Sequence, residues 1–160
     1  MARSKSAKKT VVPGLAVAGK KFAVVVSRYN SAVTEALLSG AMECFERHGV
    51  TEEYVDVVHV PGCLEIPTVC AKLVESKKYA ALAALGAVIR GETYHFEVVA
   101  NHSTLALVEL SVKHKIPIAC GILTVDNLRQ AKARSLGKEG NKGWEAALTT
   151  MQMADLMEKL

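Results

Sequence analysis

The apolar positions of this chain fall into four short runs, each followed by a polar turn and then by a helical repeat. Phe22 to Val26, FAVVV, is continuously apolar over a strand's length, as a strand covered on both faces requires. It gives way to Ser27, Arg28, Tyr29 and Asn30. Val33, Ala36, Leu37, Gly40, Ala41, Cys44 and Phe45 then recur at three and four residues, and Gly49 marks a stop. The unit repeats: Tyr54 to Val60 is rich in β-branched residues, breaks at Pro61 and Gly62, and passes through Cys63, Leu64 and Glu65 into a helix with Pro67 near its first turn. Ala80 to Ile89 is the third run. Gly91 turns the chain there, and a helix starting among Glu92, Thr93, Tyr94 and His95 continues to about His114, with an apolar face that includes Val98, Leu105 and Val112. Ile116 to Leu123 is the fourth run, broken at Thr124 to Asn127 ahead of a helix with Leu128, Ala131 and Arg134. Trp144, Ala147, Leu148, Met151 and Ala154 mark a last helix. Val11 to Val17, with Pro13 and Gly14, reads as an extended arm, weak as a strand of its own sheet but able to pair with a neighbour's edge.

Buried strands alternating with helices predict an α/β fold. It is a single-domain three-layer sandwich whose four-stranded parallel sheet has flavodoxin-like order and helices on both faces. Ligands of such sheets bind in the crevice at the carboxyl ends of the strands. Four turns meet at that edge: Arg28 to Asn30, Gly62 to Glu65, Arg90 to His95 and Thr124 to Asn127. A helix start leaves amides unpaired at the positive end of its dipole, so the Gly91 to His95 turn suits an anion, and His95 beside it suits proton transfer; a helix cap explains a lone histidine equally well. Tyr29 can stack on a planar ring or roof the sheet, and Asn30 reads first as a cap. Glu65 can accept hydroxyl hydrogen bonds or complement its helix dipole. Arg90 reads as a turn charge facing water. Arg134 and Lys142 lie beyond the last strand, out of obvious reach of their own chain's His95.

Composition narrows the classes. With 160 residues, half of them hydrophobic, one domain can bury a core without metal or disulfides. Lys and Arg number 20 against 16 Asp and Glu, and part of that excess sits in a basic tail, residues 1–10, as Arg3, Lys5, Lys8 and Lys9. The body is nearly neutral and only 5% aromatic, which argues against a nucleic-acid tracker. Residues 11–160 form the domain. Cys44, Cys63, Cys70 and Cys120 make no CxxC pair, so neither a disulfide framework nor a zinc knuckle is expected; Cys44 and His48 at i, i+4 read as core packing. No run reaches the roughly twenty apolar residues of a membrane span, and the N-terminus has no continuous apolar stretch of a secretory signal, so the expected compartment is the cytoplasm. The chain has no GxxxxGK(S/T) loop, GxGxxG turn or GxSxG elbow, and Cys63 has no arginine six residues later, as a phosphatase nucleophile would.

The segments SRYN (27–30), VPGCLEIP (60–67), GAVIRGETYHFE (86–97), GILTVDN (121–127) and GNKGWEAALT (140–149) together resemble the lumazine synthase family, in order and across nearly the whole chain. The resemblance implies condensation of 5-amino-6-(D-ribitylamino)uracil with 3,4-dihydroxy-2-butanone 4-phosphate to 6,7-dimethyl-8-ribityllumazine, a step of riboflavin biosynthesis that needs no metal or redox cofactor. On that basis Tyr29 stacks on the pyrimidinedione ring with Asn30 beside it, Cys63, Leu64 and Glu65 hold the ribityl chain, and Ala87, Val88 and Ile89 meet the ring edge through backbone groups. Glu92 and Thr93 belong to the phosphate loop, and His95 is the proton-transfer residue. Arg134 and Lys142 grip the phosphate from an adjacent subunit. Homopentamers are implied too, in many members closed into sixty-subunit shells, with association with riboflavin synthase as a further implied partner. Cys120, which the resemblance also places at the ribitylaminouracil, stands where the family commonly has phenylalanine, Leu64 replaces a common aromatic, and Leu136 replaces a frequent glycine in a 136–140 loop of shell-forming length. Two other readings remain open on sequence: a non-catalytic flavin or lumazine carrier of the same fold, and a flavodoxin-like phosphate-binding or signalling domain.

Overall fold

The computed structural model describes residues 9–137 and 140–160. Its strands are β1 (Phe22–Ser27), β2 (Val55–Val60), β3 (Ala81–Ile89) and β4 (Ile118–Val125), and its helices are α1 (Ser31–Arg47), α2 (Ile66–Glu75), α3 (His95–His114), α4 (Leu128–Ser135) and α5 (Lys142–Lys159). The strands form one parallel sheet in the order β2-β1-β3-β4, the flavodoxin-like arrangement expected. β1 is buried at every residue, which is why its valines need no polar alternation; burying each contributes about 1.5–3 kcal/mol over leaving it exposed. Successive side chains of the sheet serve opposite faces. Phe22, Val24, Val26, Leu85 and Ala87 pack under α1, α4 and α5, while Ala23, Val25, Leu82 and Ala84 pack under α2 and α3. Those are the three expected layers.

Several boundaries shift for local reasons. β4 begins two residues later than the apolar run because Lys115 ends α3 in the left-handed region (φ 54°) and Pro117 has no amide to give. It ends later because pairing with β3 continues to Ile89 and Val125. The period of Val98, Leu105 and Val112 predicts a core-facing row, and α3 instead buries Ala100, Ser103 and Leu107. Leu105, Val108 and Val112 are exposed, because this helix is apolar on more than one side and its sheet covers only one of them.

The arm is no strand within its own protomer. The Gly14 amide donates to Asp155 Oδ2 at 2.6 Å, and Lys159 stands 2.6 Å from the same carboxylate, an ion pair that holds Asp155 below the usual carboxylate range. The expected basic tail lies, up to residue 8, outside the described residues, as do Lys138 and Glu139 of the 136–140 loop. Cys44 is a core residue, as its spacing implies, its thiol pushed up to about 11 chiefly by burial.

The start of α5 is fixed by one side chain. Asn141 accepts from the amides of Gly143 (2.8 Å) and Trp144 (3.1 Å) as an N-cap, and its Nδ2 donates to Ala36 O (3.0 Å) and Ser135 O (2.8 Å). α1, α4 and α5 are thereby tied at one point. A side chain at Gly143 would overlap the Leu37 carbonyl, so glycine is what lets α5 approach α1 there.

Candidate active site

The first two turns at the carboxyl edge interlock, and the first also reaches the end of β3. Arg28 N donates to Val60 O at 2.8 Å and Tyr29 N to Pro61 O at 3.0 Å, so the β1 turn is laid along the β2 turn. Asn30 occupies the left-handed region (φ 61°, ψ 48°), which asparagine tolerates better than most residues. Its side chain makes no capping bond, contrary to the cap reading, and instead reaches β3, where Nδ2 donates to Ala87 O at 3.0 Å. A left-handed backbone turns the amide away from the helix it precedes. At Gly62 a Cβ would lie 2.9 Å from Tyr29 Cδ2 and 3.0 Å from Glu65 Oε2, so the missing side chain admits both. Glu65 Oε2 accepts from the Gly62 amide at 2.9 Å, and Oε1 has no protein donor among the described residues. Tyr29 remains 70% exposed, a flat ring held at one edge and open on the rest.

Cys63 is buried beneath this wall with its sulfur 3.7 Å from Ser27 Oγ; burial pushes its thiol up, which does not suit a nucleophile. Leu64 and Glu65 are exposed, Ala87 and Val88 buried, and Ile89 half-buried. His95 opens α3 and is exposed, as are Glu92 and Thr93; its amide lies 3.4 Å from Thr93 Oγ1. In the fourth turn Asn127 caps α4 by accepting from Gln130 N at 2.9 Å.

A second concavity of about 350 Å³ lies along the open edge of β4. Cys120, Thr124, Arg134, Lys142 and Glu145 line it, and no residue of the first three turns does. Arg134 Nη1 donates to Gln130 O at 3.2 Å, and Lys142 Nζ pairs with Glu145 Oε2 at 2.8 Å. Cys120 is exposed on the strand, although atoms crowding its sulfur raise the thiol above its ordinary value.

A family model described as 6,7-dimethyl-8-ribityllumazine synthase matches residues 19–158, from just before β1 into the last turn of α5. The chain belongs to that family. A 6,7-dimethyl-8-ribityllumazine synthase of Kosmotoga olearia is 46% identical over 142 residues, which cover 89% of this chain and 91% of that protein. Membership makes the chain an enzyme, a transferase of riboflavin biosynthesis.

Within this lumazine synthase fold, Tyr29, Asn30, Cys63, Leu64, Glu65 and Ala87 come together, with Val88 and Ile89 continuing the same strand end. Arg134, Lys142 and Cys120 meet in the β4 cleft. Arg90 is no free turn charge. Nε donates to Asp126 Oδ1 at 3.1 Å, Nη1 to Glu97, and its guanidinium carbon lies 4.2 Å from the Phe96 ring centre. Sequence reasoning passes over Glu145, whose signal is its i, i+3 spacing from Lys142 in the first turn of α5. Among the described residues no cluster of three His, Cys, Asp or Glu side chains could hold a metal, and no helix is long and apolar enough to cross a membrane.

Proposed function

We propose that this chain condenses 5-amino-6-(D-ribitylamino)uracil with 3,4-dihydroxy-2-butanone 4-phosphate at a seam between two protomers. One protomer contributes the Tyr29–Glu65–Ala87 wall and His95, and its neighbour contributes the β4 cleft. The observation that carries this reading is the split itself: an open aromatic and carboxylate wall and a helix-start histidine both follow strands at the carboxyl edge of the sheet, while Arg134 and Lys142 line a separate cleft. Tyr29 would stack on the pyrimidinedione ring with Asn30 bracing the ring edge, which the main chain of Ala87 to Ile89 meets. Glu65 Oε1 and the main chain of Cys63 and Leu64 would take the ribityl hydroxyls. The first amides of α3 with Glu92 and Thr93, joined by the neighbour's Arg134 and Lys142, would hold the phosphate.

Chemistry then follows. The 5-amino group attacks the ketone, and loss of water leaves a Schiff base. A proton leaves the adjacent carbon as the C–O bond to phosphate breaks, with His95 carrying the proton and Arg134 stabilising the departing anion. The enol left behind takes up a proton at its terminal carbon and becomes a methyl ketone; the ribitylamino nitrogen closes the second ring on that new carbonyl and water departs. Every step is addition, elimination, tautomerisation or dehydration, so no electron acceptor is called for. Holding the reactants in register supplies much of the acceleration.

The exposed Leu105, Val108 and Val112 row supports self-association, since apolar rows of this kind mark contact surfaces. A homopentamer would bury it, and the resemblance points further to a sixty-subunit shell, cytoplasmic and able to associate with riboflavin synthase. A carrier that binds the product without making it is favoured by Cys120 and Leu64, which offer no ring to the ligand. An assay with both substrates, read as lumazine absorbance above the uncatalysed rate, separates the two. His95→Ala should lower kcat about a hundredfold. An unchanged rate would remove His95 from the chemistry, and no acceleration by the native chain would leave the carrier.

A further inference from the structure

We infer that Arg90 is a positioning residue for His95, pinning the start of α3 to the carboxyl ends of β3 and β4; this rests on the reading of His95 as proton carrier. Gly91 to His95 is exposed throughout. Among the described residues, the hydrogen bonds of Gly91 to Tyr94 run only forward into α3, from His95 N to Thr93 Oγ1 (3.4 Å) and from Glu97 N and Val98 N to Tyr94 O (3.1 and 3.4 Å). Nothing in the loop itself ties His95 to the sheet.

Arg90 supplies that tie from the loop's other end. Its amide donates to Val125 O at 2.9 Å, and its Nε donates to Asp126 Oδ1 at 3.1 Å, so it is fixed to the end of β4 twice. Nη1 donates to Glu97, and the guanidinium lies 4.2 Å from the Phe96 ring centre. Phe96 and Glu97 are the two residues that follow His95, so the grip falls on the turn of helix that aims the imidazole. Bridging two carboxylates in different directions while lying over a ring is work for a planar fork, which lysine lacks. Both carboxylates are partly exposed, and such pairs add little to stability, so the consequence is geometry more than folding. With Nε and Nη1 directed at Asp126 and Glu97, two of the three guanidinium nitrogens of Arg90 are committed to protein groups.

Steady-state kinetics on the assembled full chain tests this. Arg90→Ala should lower kcat about tenfold or more, leave KM for the ribitylaminouracil within about twofold, and barely move the thermal midpoint, because a small misplacement of a catalytic group is costly. Arg90→Lys should recover only part. In the His95→Ala background the same change should cost less than about twofold, since the two act through one group. An equal fractional loss in both backgrounds would overturn the proposal. So would a loss carried by KM for the butanone phosphate together with weaker inhibition by inorganic phosphate, which would make Arg90 an anion contact. If His95→Ala alone leaves the rate unchanged, the reading of His95 fails first. If His95→Ala is slow but Arg90→Ala is not, only the present inference falls.

Discussion

Tyr29, Asn30 and Ala87 are held by bonds and contacts that cross between elements, whereas among the described residues Arg134 and Lys142 are held only by their own helices, through Gln130 O and Glu145. The first region is a finished wall, its main chain and side chains committed to one another and one aromatic face left open. The second is a pair of cations poised by local contacts over an open strand edge. Side chains stabilised only from behind can move to meet something in front of them. In the proposed reading that something is the substrate phosphate on a neighbour's wall. The contrast also says how each region should fail: the wall by distortion, the cleft by loss of charge.

Removing the charge has the largest expected effect. Arg134→Ala should lower kcat/KM for the butanone phosphate by on the order of a hundredfold or more, with thermal stability nearly unchanged, because the hydrogen bond it gives up is to a carbonyl of its own helix. An equal loss of pyrimidine binding would break the division of labour. Distorting the wall should cost less. Gly62→Ala places a carbon 2.9 Å from Tyr29 Cδ2, and turning that ring aside should raise KM for the ribitylaminouracil roughly three- to tenfold while leaving the phosphate substrate alone. The smallest effect sharpens the cleft. Cys120→Phe restores a ring where one is common in the family and should lower KM for the pyrimidine about two- to fivefold, with kcat little changed.

The strands and turns are legible in the chain because continuous apolar runs and their polar breaks follow directly from burial on both faces. What resists reading depends on direction rather than composition. Asn30 has the composition of a cap, and only its left-handed backbone sends the amide 57 residues away to Ala87. Arg90 looks like a turn charge until β4 and α3 bring Asp126 and Glu97 to it from 36 and seven residues along. The Leu105 and Val112 row has the right period for a core face, but period does not say which side of an all-round apolar helix meets the sheet. Tyr29, Glu65 and His95 stand out from their turns alone, and the fold sets the first two against one glycine.

Subunit mixing tests the shared seam most directly. His95→Ala and Arg134→Ala chains, each assembled alone, carry a defect at every seam. Dissociated together and reassembled, they form seams in which one chain keeps His95 and its neighbour keeps Arg134, roughly a quarter of the total for random mixing around a closed ring. The account predicts that the mixture regains activity well above either variant alone. Activity no greater than the average of the two would contradict it and return both residues to a single chain.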